Sequence, residues 1–379
     1  MTGARRFALL LGLQMLPATM LTPAVRPLFA SQHAGREGAM HAFFALAMAG
    51  AILGTPLVVR KRPPLRALIL LDLVLLSLLP LHLPTTLVLA LRFVEGAAHV
   101  GTTTCLMALA AEYARREGCA RTIPAAAAAI GVAVALGSAL GGLAVHVGGP
   151  RAVFGVAAGL LVVVALLAPA QAPSPTTTRR APLDPTAFAS AFLGRFVVGC
   201  LVVTFALFAH RVHHVSDARI GALFAAVTVP FALASYPLGR LAGRGNADGL
   251  AFFGSIAAGA GLLSLGFCST LLLPLPMIVF GLGGSALFAS AVERSSAGHG
   301  DRARAMGALQ VAGCAGMLLG PIVAGVVATV TRSAVDPARA PRAVFLLGAG
   351  VSVAFALFCR VRARALLDRP TCPSVSPTT

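Results

Sequence analysis

The sequence predicts an all-α protein embedded in a membrane, with twelve transmembrane helices arranged as two pseudo-symmetric six-helix bundles. Three observations carry this prediction. The composition is too apolar for a soluble chain, apolar runs of bilayer-spanning length follow one another, and a set of residues recurs after a nearly fixed interval. Of the 379 residues 58% are hydrophobic and only 11% charged, against roughly a quarter charged in soluble domains. Mean hydropathy is +0.88. Such a chain has no means of covering its surface in water, so lipid must be the solvent for much of it.

A helix that crosses a bilayer needs about 20 mostly apolar residues. Read against breaks made by Arg, Pro and Gly, the runs cover 7–29, 38–59, 65–82, 85–114, 122–147, 150–170, 186–209, 217–238, 249–269, 271–292, 304–331 and 341–360. The opening Met1-Thr-Gly-Ala-Arg5-Arg6 resembles a signal segment. Its apolar stretch is too long for one and lacks a clear cleavage site, so it is expected to stay as the first helix. The one long polar break, Gln171 to Asp184, is a Pro-, Ser- and Thr-rich linker. The expected domains are therefore 1–170, a cytoplasmic linker 171–185, 186–360, and a cytoplasmic tail 361–379.

Charge sets the orientation, because aromatic belts are weak here (no Trp, two Tyr). Twenty of the 30 basic residues fall on the side of the N-terminus and seven on the other, with Arg26, Arg92 and Arg195 inside segments. The positive-inside rule then places both termini in the cytoplasm. The net charge of +18 is spread singly or in small clusters between apolar runs, which argues against a nucleic-acid partner. Lys61 is the one Lys among the basic residues, and with the Ala and Gly load this suggests a GC-rich bacterial genome and an inner-membrane location. The seven Cys form no C-x-x-C pair and are read as small core residues.

The halves match each other. Glu112 and Arg121 recur as Glu293 and Arg302, both offset by 181; Gly137-x-x-x-Gly141 recurs as Gly316-x-x-x-Gly320, offset by 179; Leu57 to Arg60 recurs as Leu241 to Arg244, offset by 184. Parallel six-helix repeats imply a pseudo-twofold axis along the membrane normal and a site between the halves.

These residues resemble the major facilitator superfamily over the whole chain. The family loop G-x-L-A-D-R-x-G-R-K is matched by Gly239-Arg240-Leu241-Ala242-Gly243-Arg244 and more loosely by Leu57, Arg60, Lys61 and Arg62; its Asp is replaced by Val59 and Gly243. Leu91-Arg92-Phe-Val-Glu95-Gly96 is similar to the R-x-x-Q-G of proton-coupled members, and Gly137-Ser-Ala-Leu-Gly141-Gly142 to the antiporter motif without its Pro. Gly320-Pro321 stands in segment eleven. The resemblance implies a secondary active transporter, most like the drug/proton antiporter branch. Its partners would be a small-molecule substrate, protons and the bilayer, and a monomer is expected. Uptake of a metabolite or organic anion is the alternative. A transport-inactive scaffold or assembly factor is the alternative from another class, one that the missing Asp favours.

Candidate site residues follow from the cost of ionisable groups in a membrane. Arg92 lies about 8 residues, or roughly 12 Å, into segment four. Glu95 and His99 share its face at spacings of three and seven. An Arg–Glu pair there neutralises itself until a substrate or proton breaks it; the alternative is a permanent structural ion pair. Arg26, between Pro23 and Pro27, meets a substrate anion or snorkels to headgroups. Arg195, about one-third of the way into segment seven from the cytoplasm, is harder to snorkel and is a candidate to face a cavity. Gln14, His41 and Gln310 either join helices or contact ligand. Asp72 is expected to pair with Arg66. By resemblance, Glu112 and Glu293 face Arg60 and Gly239 to Arg244 as a cytoplasmic gate. Gly137, Gly141, Gly142, Gly316 and Gly320, with Pro321, mark close helix packing. His210-Arg211-Val212-His213-His214 has no acidic or Cys partner at ligand spacing and is read as an outer loop, so no metal is expected. No phosphate loop, nucleotide fingerprint or catalytic triad is present, so neither an enzyme nor a cofactor is indicated.

Overall fold

A computed structural model describes residues 3–32, 37–169, 184–297, 301–332, 336 and 338–367. These residues form α1 (Gly3–Met20), α2 (Thr22–Gln32), α3 (Glu37–Lys61), α4 (Leu65–Leu78), α5 (Thr85–Arg116) and α6 (Thr122–Leu167). There follow α7 (Pro185–His213), α8 (Asp217–Leu241), α9 (Ala247–Leu265), α10 (Pro274–Ala297), α11 (Arg302–Val330) and α12 (Arg339–Leu367). In hydrocarbon every backbone N–H and C=O must be satisfied within the segment, so an apolar chain has helices as its ready solution. Large apolar side chains lie on the outer surface, with Leu233 74% and Val330 80% exposed. These belong in lipid.

Eight of the described helical stretches are long and apolar enough to cross a membrane. The twelve passes of the sequence reading are recovered for three physical reasons. The stretches Thr122–Leu167 and Arg219–Leu265, of 46 and 47 residues, each hold two passes. Helix α4 has only 14 residues. Helix α5 is long, but Arg92, Glu95 and His99 depress its hydropathy. Within α6 the division falls at Gly149, whose φ of 76° and ψ of 178° are open almost only to glycine; Pro150 then starts the next pass with its φ preset.

Several predicted boundaries move. The first segment divides at Leu21, between α1 and α2. The break before α10 spans 266–273 rather than one residue near Pro274, and α12 runs on to Leu367. The histidine cluster ends α7 instead of lying in a loop: His213 Nδ1 is 2.8 Å from Thr270 Oγ1, and His214 closes the helix with a left-handed φ of 51°. The expected linker and tail fall largely on 170–183 and 368–379, outside the described residues.

The repeat reappears as packing. Helix α6 rests on α1 as α11 rests on α7, each against the helix four passes earlier. A Cβ on Gly141 would lie 2.2 Å from Met20 O, and one on Gly316 2.2 Å from Phe192 O; Gly137 meets Thr19 and Gly320 meets Phe196 O in the same way. Pro321 packs near Gly199 of α7. Gly142 departs from the expectation, since its Cβ position has nothing within 4 Å. Gly316→Ala is therefore expected to lower stability by about 1–3 kcal/mol through overpacking, while Gly142→Ala leaves it unchanged. Thermal unfolding of the two purified variants checks this, and equal melting temperatures would refute it.

The described ends of the chain share one face, here the terminal face. Arg6 donates to Leu167 O at 2.8 Å, Arg66 donates to Ala168 O, and Arg362 pairs with Asp184 at 3.0 Å. Near this face one buried apolar core joins the halves, with Leu106 and Met107 of α5 against Ala291, Val292, Met306 and Leu309 of α10 and α11. Toward the opposite face the halves have separate cores, one around Phe43 and Phe154 and the other around Phe205, Phe208 and Phe345. At the mouth of α7, Asp184 holds Arg294 at 2.8 Å. Burial raises the Asp184 carboxyl, but the hydrogen bonds from Arg294 and the Thr186 amide, with the charges of Arg294 and Arg362, outweigh it and hold the group below the usual carboxylate range. The anchor is thus at full strength above the ordinary carboxylate pKa and is lost only as pH falls through the lowered value.

Candidate functional site

Helix α5 carries Arg92, Glu95 and His99 down one face, and all three are buried. The Arg92 guanidinium pairs with the Glu95 carboxylate one turn on, and lies 4.7 Å from the ring centroid of Phe43 on α3. Close approach of α3 is possible because Gly96 has no side chain: a Cβ there would lie 2.1 Å from Ala47 O.

Two further helices complete the group. Asp72 of α4 and Gln14 of α1 are both 0% exposed. Gln14 Nε2 donates to Asp72 Oδ2 at 2.9 Å, and His99 Nδ1 lies 3.0 Å from the same oxygen. Gln14 Nε2 is also 3.2 Å from His99 Nδ1. That ring nitrogen either donates to Asp72 or accepts from Gln14, never both, so the tautomer fixes which bond is made. Among the described residues Gln14 Oε1, Asp72 Oδ1, His99 Nε2 and Arg92 Nε have no hydrogen-bond partner. The expected Asp72–Arg66 pair is not formed. Asp72 sits deeper, on the inward face of α4, and Arg66 instead donates to Ala168 O at 3.2 Å. Gln14, through its bond to Asp72, ties α1 to α4.

Ligand atoms of Asp72, Glu95 and His99 all lie within 4.8 Å of one another, close enough to hold a cation. The Arg92 guanidinium already occupies the Glu95 carboxylate, and its charge opposes a divalent ion at the same point. The donor set therefore fits a proton or a single positive charge better than a divalent metal.

The other predicted residues are placed as follows. Gln310 of α11 donates to Met107 Sδ of α5 at 3.3 Å, across the halves. Arg195 is half-buried on α7 with its stem against Gly313. Arg26 falls on α2 and His41 on α3, and their side chains lie outside the described residues. Glu112 pairs with Arg116 on its own helix rather than with Arg60, because that partner is one turn away. Arg60, Arg240 and Arg244 are exposed. Glu293 Oε2 would lie 3.7 Å from a Cβ on Gly243, and Gly239 abuts Pro124 of the other half.

Where the loop motif lacks its Asp, Val59 is set against α11: a Cβ on Gly307 would lie 2.7 Å from Val59 Cγ2. Three residues on, Arg62 pairs with Asp301, which also caps α11 through the Arg304 amide at 3.3 Å. The sequence reading missed this cross-half ion pair. Its one visible signal was an Asp immediately before a helix, a capping position. Asp301→Ala is expected to remove the cross-half pair and the cap together, about 0.5–2 kcal/mol for the cap alone. The measurement is thiol labelling of a V59C reporter, which should speed up at least threefold in the D301A background; an unchanged rate would show that the pair does not hold the two halves together there.

Twelve apolar passes in two equivalent halves, joined by a core at one face and holding ionisable groups in the membrane interior, define a polytopic membrane protein of the transporter type. The family model described as Major Facilitator Superfamily matches residues 7–209 and again 187–374, and the chain belongs to that superfamily. No curated protein sequence matches it. The crystal structure of the human organic anion transporter MFSD10 (TETRAN) is similar, with TM-score 0.76 and 17% identity over 95% of this chain and 100% of that one. At that identity the likeness is one of fold.

Proposed function

We propose that the chain is a proton-coupled secondary transporter that exports a small organic compound by alternating access of its two halves. The observation that carries this is the buried group Gln14, Asp72, Arg92, Glu95 and His99. Arg92 balances Glu95, and Asp72 is left as a second carboxylate with only a neutral amide and an imidazole around it. An unbalanced charge at this depth is strongly unfavourable. One proton, on Asp72 or His99, brings the group to zero. Taking up and releasing that proton is the coupling event, and the orphaned atoms of Asp72, Gln14 and His99 are the groups that re-pair when it moves. The bias of basic residues supports a cytoplasmic terminal face. The joint core near that face supports closure on the cytoplasmic side in this conformation, with Arg62–Asp301 and the Glu112, Glu293 and Gly239–Arg244 region as the gate.

The test is flux in proteoliposomes with a panel of fluorescent organic dyes, with and without an imposed pH gradient. Gradient-dependent accumulation of at least one dye, abolished by a protonophore, is the expected result. Absence of any such flux across the panel would favour the scaffold reading, and flux driven by Na⁺ but not by H⁺ would reassign the coupling ion.

A further inference from the structure

Helix α11 is set against α3 and α5 of the other half at Gly307. A Cβ there would lie 2.7 Å from Val59 Cγ2, 3.5 Å from Thr55 Cγ2 and 3.6 Å from Thr104 Cγ2. Three γ-methyls from two helices of one half thus make an apolar socket for bare backbone of the other. Met306 and Leu309, on either side of Gly307 in sequence, belong to the buried core that joins the halves. The socket is therefore part of the seal, and it exists only while the halves are together.

Thr55 and Thr104 are both 0% exposed, and among the described residues neither hydroxyl has a hydrogen-bond partner. Their neighbours behave differently. Thr102 Oγ1 donates to Ala98 O at 2.9 Å and Thr103 Oγ1 to His99 O at 3.0 Å, the usual outlet for a threonine within a helix. Methyl and hydroxyl share one carbon, so the rotamer that presents Cγ2 to Gly307 also fixes the direction of Oγ1. Each threonine has an acceptor on its own helix for another rotamer. For Thr104 it is Val100 O, four residues back, as for Thr102 and Thr103. For Thr55 it is Ile52 O, which Pro56 leaves without a helical donor because proline has no N–H. The closed seam thus keeps two hydroxyls from bonds they would otherwise make, and a buried hydroxyl without a partner is unfavourable. Gln310 adds to the imbalance, since its amide donates across the same seam only to the Met107 thioether, a weak acceptor.

We propose that Thr55 and Thr104 set the balance of closure at this face. Their methyls complete the seal and their unmet hydroxyls oppose it, so the seam opens more readily than an all-aliphatic one. With α11 withdrawn, each side chain is free to turn and its hydroxyl regains a backbone carbonyl. The proposal rests on the alternating-access reading above and assigns residues to its closing step.

The test is amide hydrogen exchange of residues 303–310 in the full-length protein, held in lipid nanodiscs without substrate or gradient and read by mass spectrometry. Valine keeps the shape and the seam-facing methyl while removing the hydroxyl. T55V/T104V is therefore expected to slow exchange of this segment by roughly fivefold or more, as the closed population gains. T102V, which removes a hydroxyl already bonded to Ala98 O, is expected not to slow it. Should the double variant aggregate, T55V and T104V are measured singly, with about a twofold slowing expected from each. Unchanged or faster exchange in the seam variants overturns the proposal, and so does equal slowing in T102V. Exchange needs no transport, so slowed exchange in a protein without pH-driven flux refutes the coupling proposal alone. Flux driven by pH with exchange unaltered in the seam variants refutes this one alone.

Discussion

Glu95→Gln is expected to abolish pH-driven accumulation, with gradient-driven flux reduced at least tenfold, while substrate exchange at equal pH on both sides continues. The reason is charge. With Gln at 95, Arg92 and Asp72 already sum to zero, so the buried group no longer needs a proton. Asp72→Asn reaches the same balance by removing the other carboxylate and is expected to give the same phenotype. That two residues on different helices should share one uncoupled phenotype is the distinctive part of the prediction. If either variant still concentrates substrate against a pH gradient, the proton does not reside in this group.

Arg92→Leu acts in the opposite direction. It leaves Glu95 and Asp72 as two uncompensated carboxylates among groups only 0–6% exposed. Removing one partner of a buried pair typically costs about 3–5 kcal/mol. The variant should therefore show a large drop in thermal stability, partly relieved at low pH as protons neutralise the carboxylates. Removing both partners together, in R92L/E95L, should restore stability to near the wild-type value, since a buried pair and an apolar pair of similar volume are often equivalent. Asp72 stays uncompensated in the double variant, so the group still needs one proton and pH-driven accumulation should persist. A stable double variant that no longer concentrates substrate would show that the charge sum of the group is not what sets coupling.

Much of this architecture was legible in the sequence because a bilayer imposes its thickness on the chain. Runs of the right length were found even where composition alone is ambiguous, as in α5, whose polar residues dilute its apolar character. The shared face of Arg92, Glu95 and His99 followed from helical periodicity, and so did the glycine ridges, since close packing of two helices requires residues without side chains. What was not legible depends on rotation of one helix against another. Asp72 was assigned to Arg66 because both stand near the start of α4, and six residues set them about 120° apart from a return to the same face. Gln14 reached Asp72 only once α1 and α4 were brought together. The pairing of Glu112 was not legible for a related reason: it has a partner on its own helix, and the cross-half ion pair is made by Arg62, beyond the motif position that lacks its Asp.

Asp301 has one oxygen on the Arg304 amide and the other on Arg62 of the opposite half. In the alternating-access cycle proposed above, parting of the halves at this face would release the second oxygen beside the remaining amides of the first turn of α11, where a helix start favours negative charge. In that cycle the same carboxylate would serve the closed conformation through an arginine and the open one through the helix dipole. It would then act as a counterweight that keeps the two conformations near in free energy. An alternating-access carrier needs that near-equality more than it needs a strong lock.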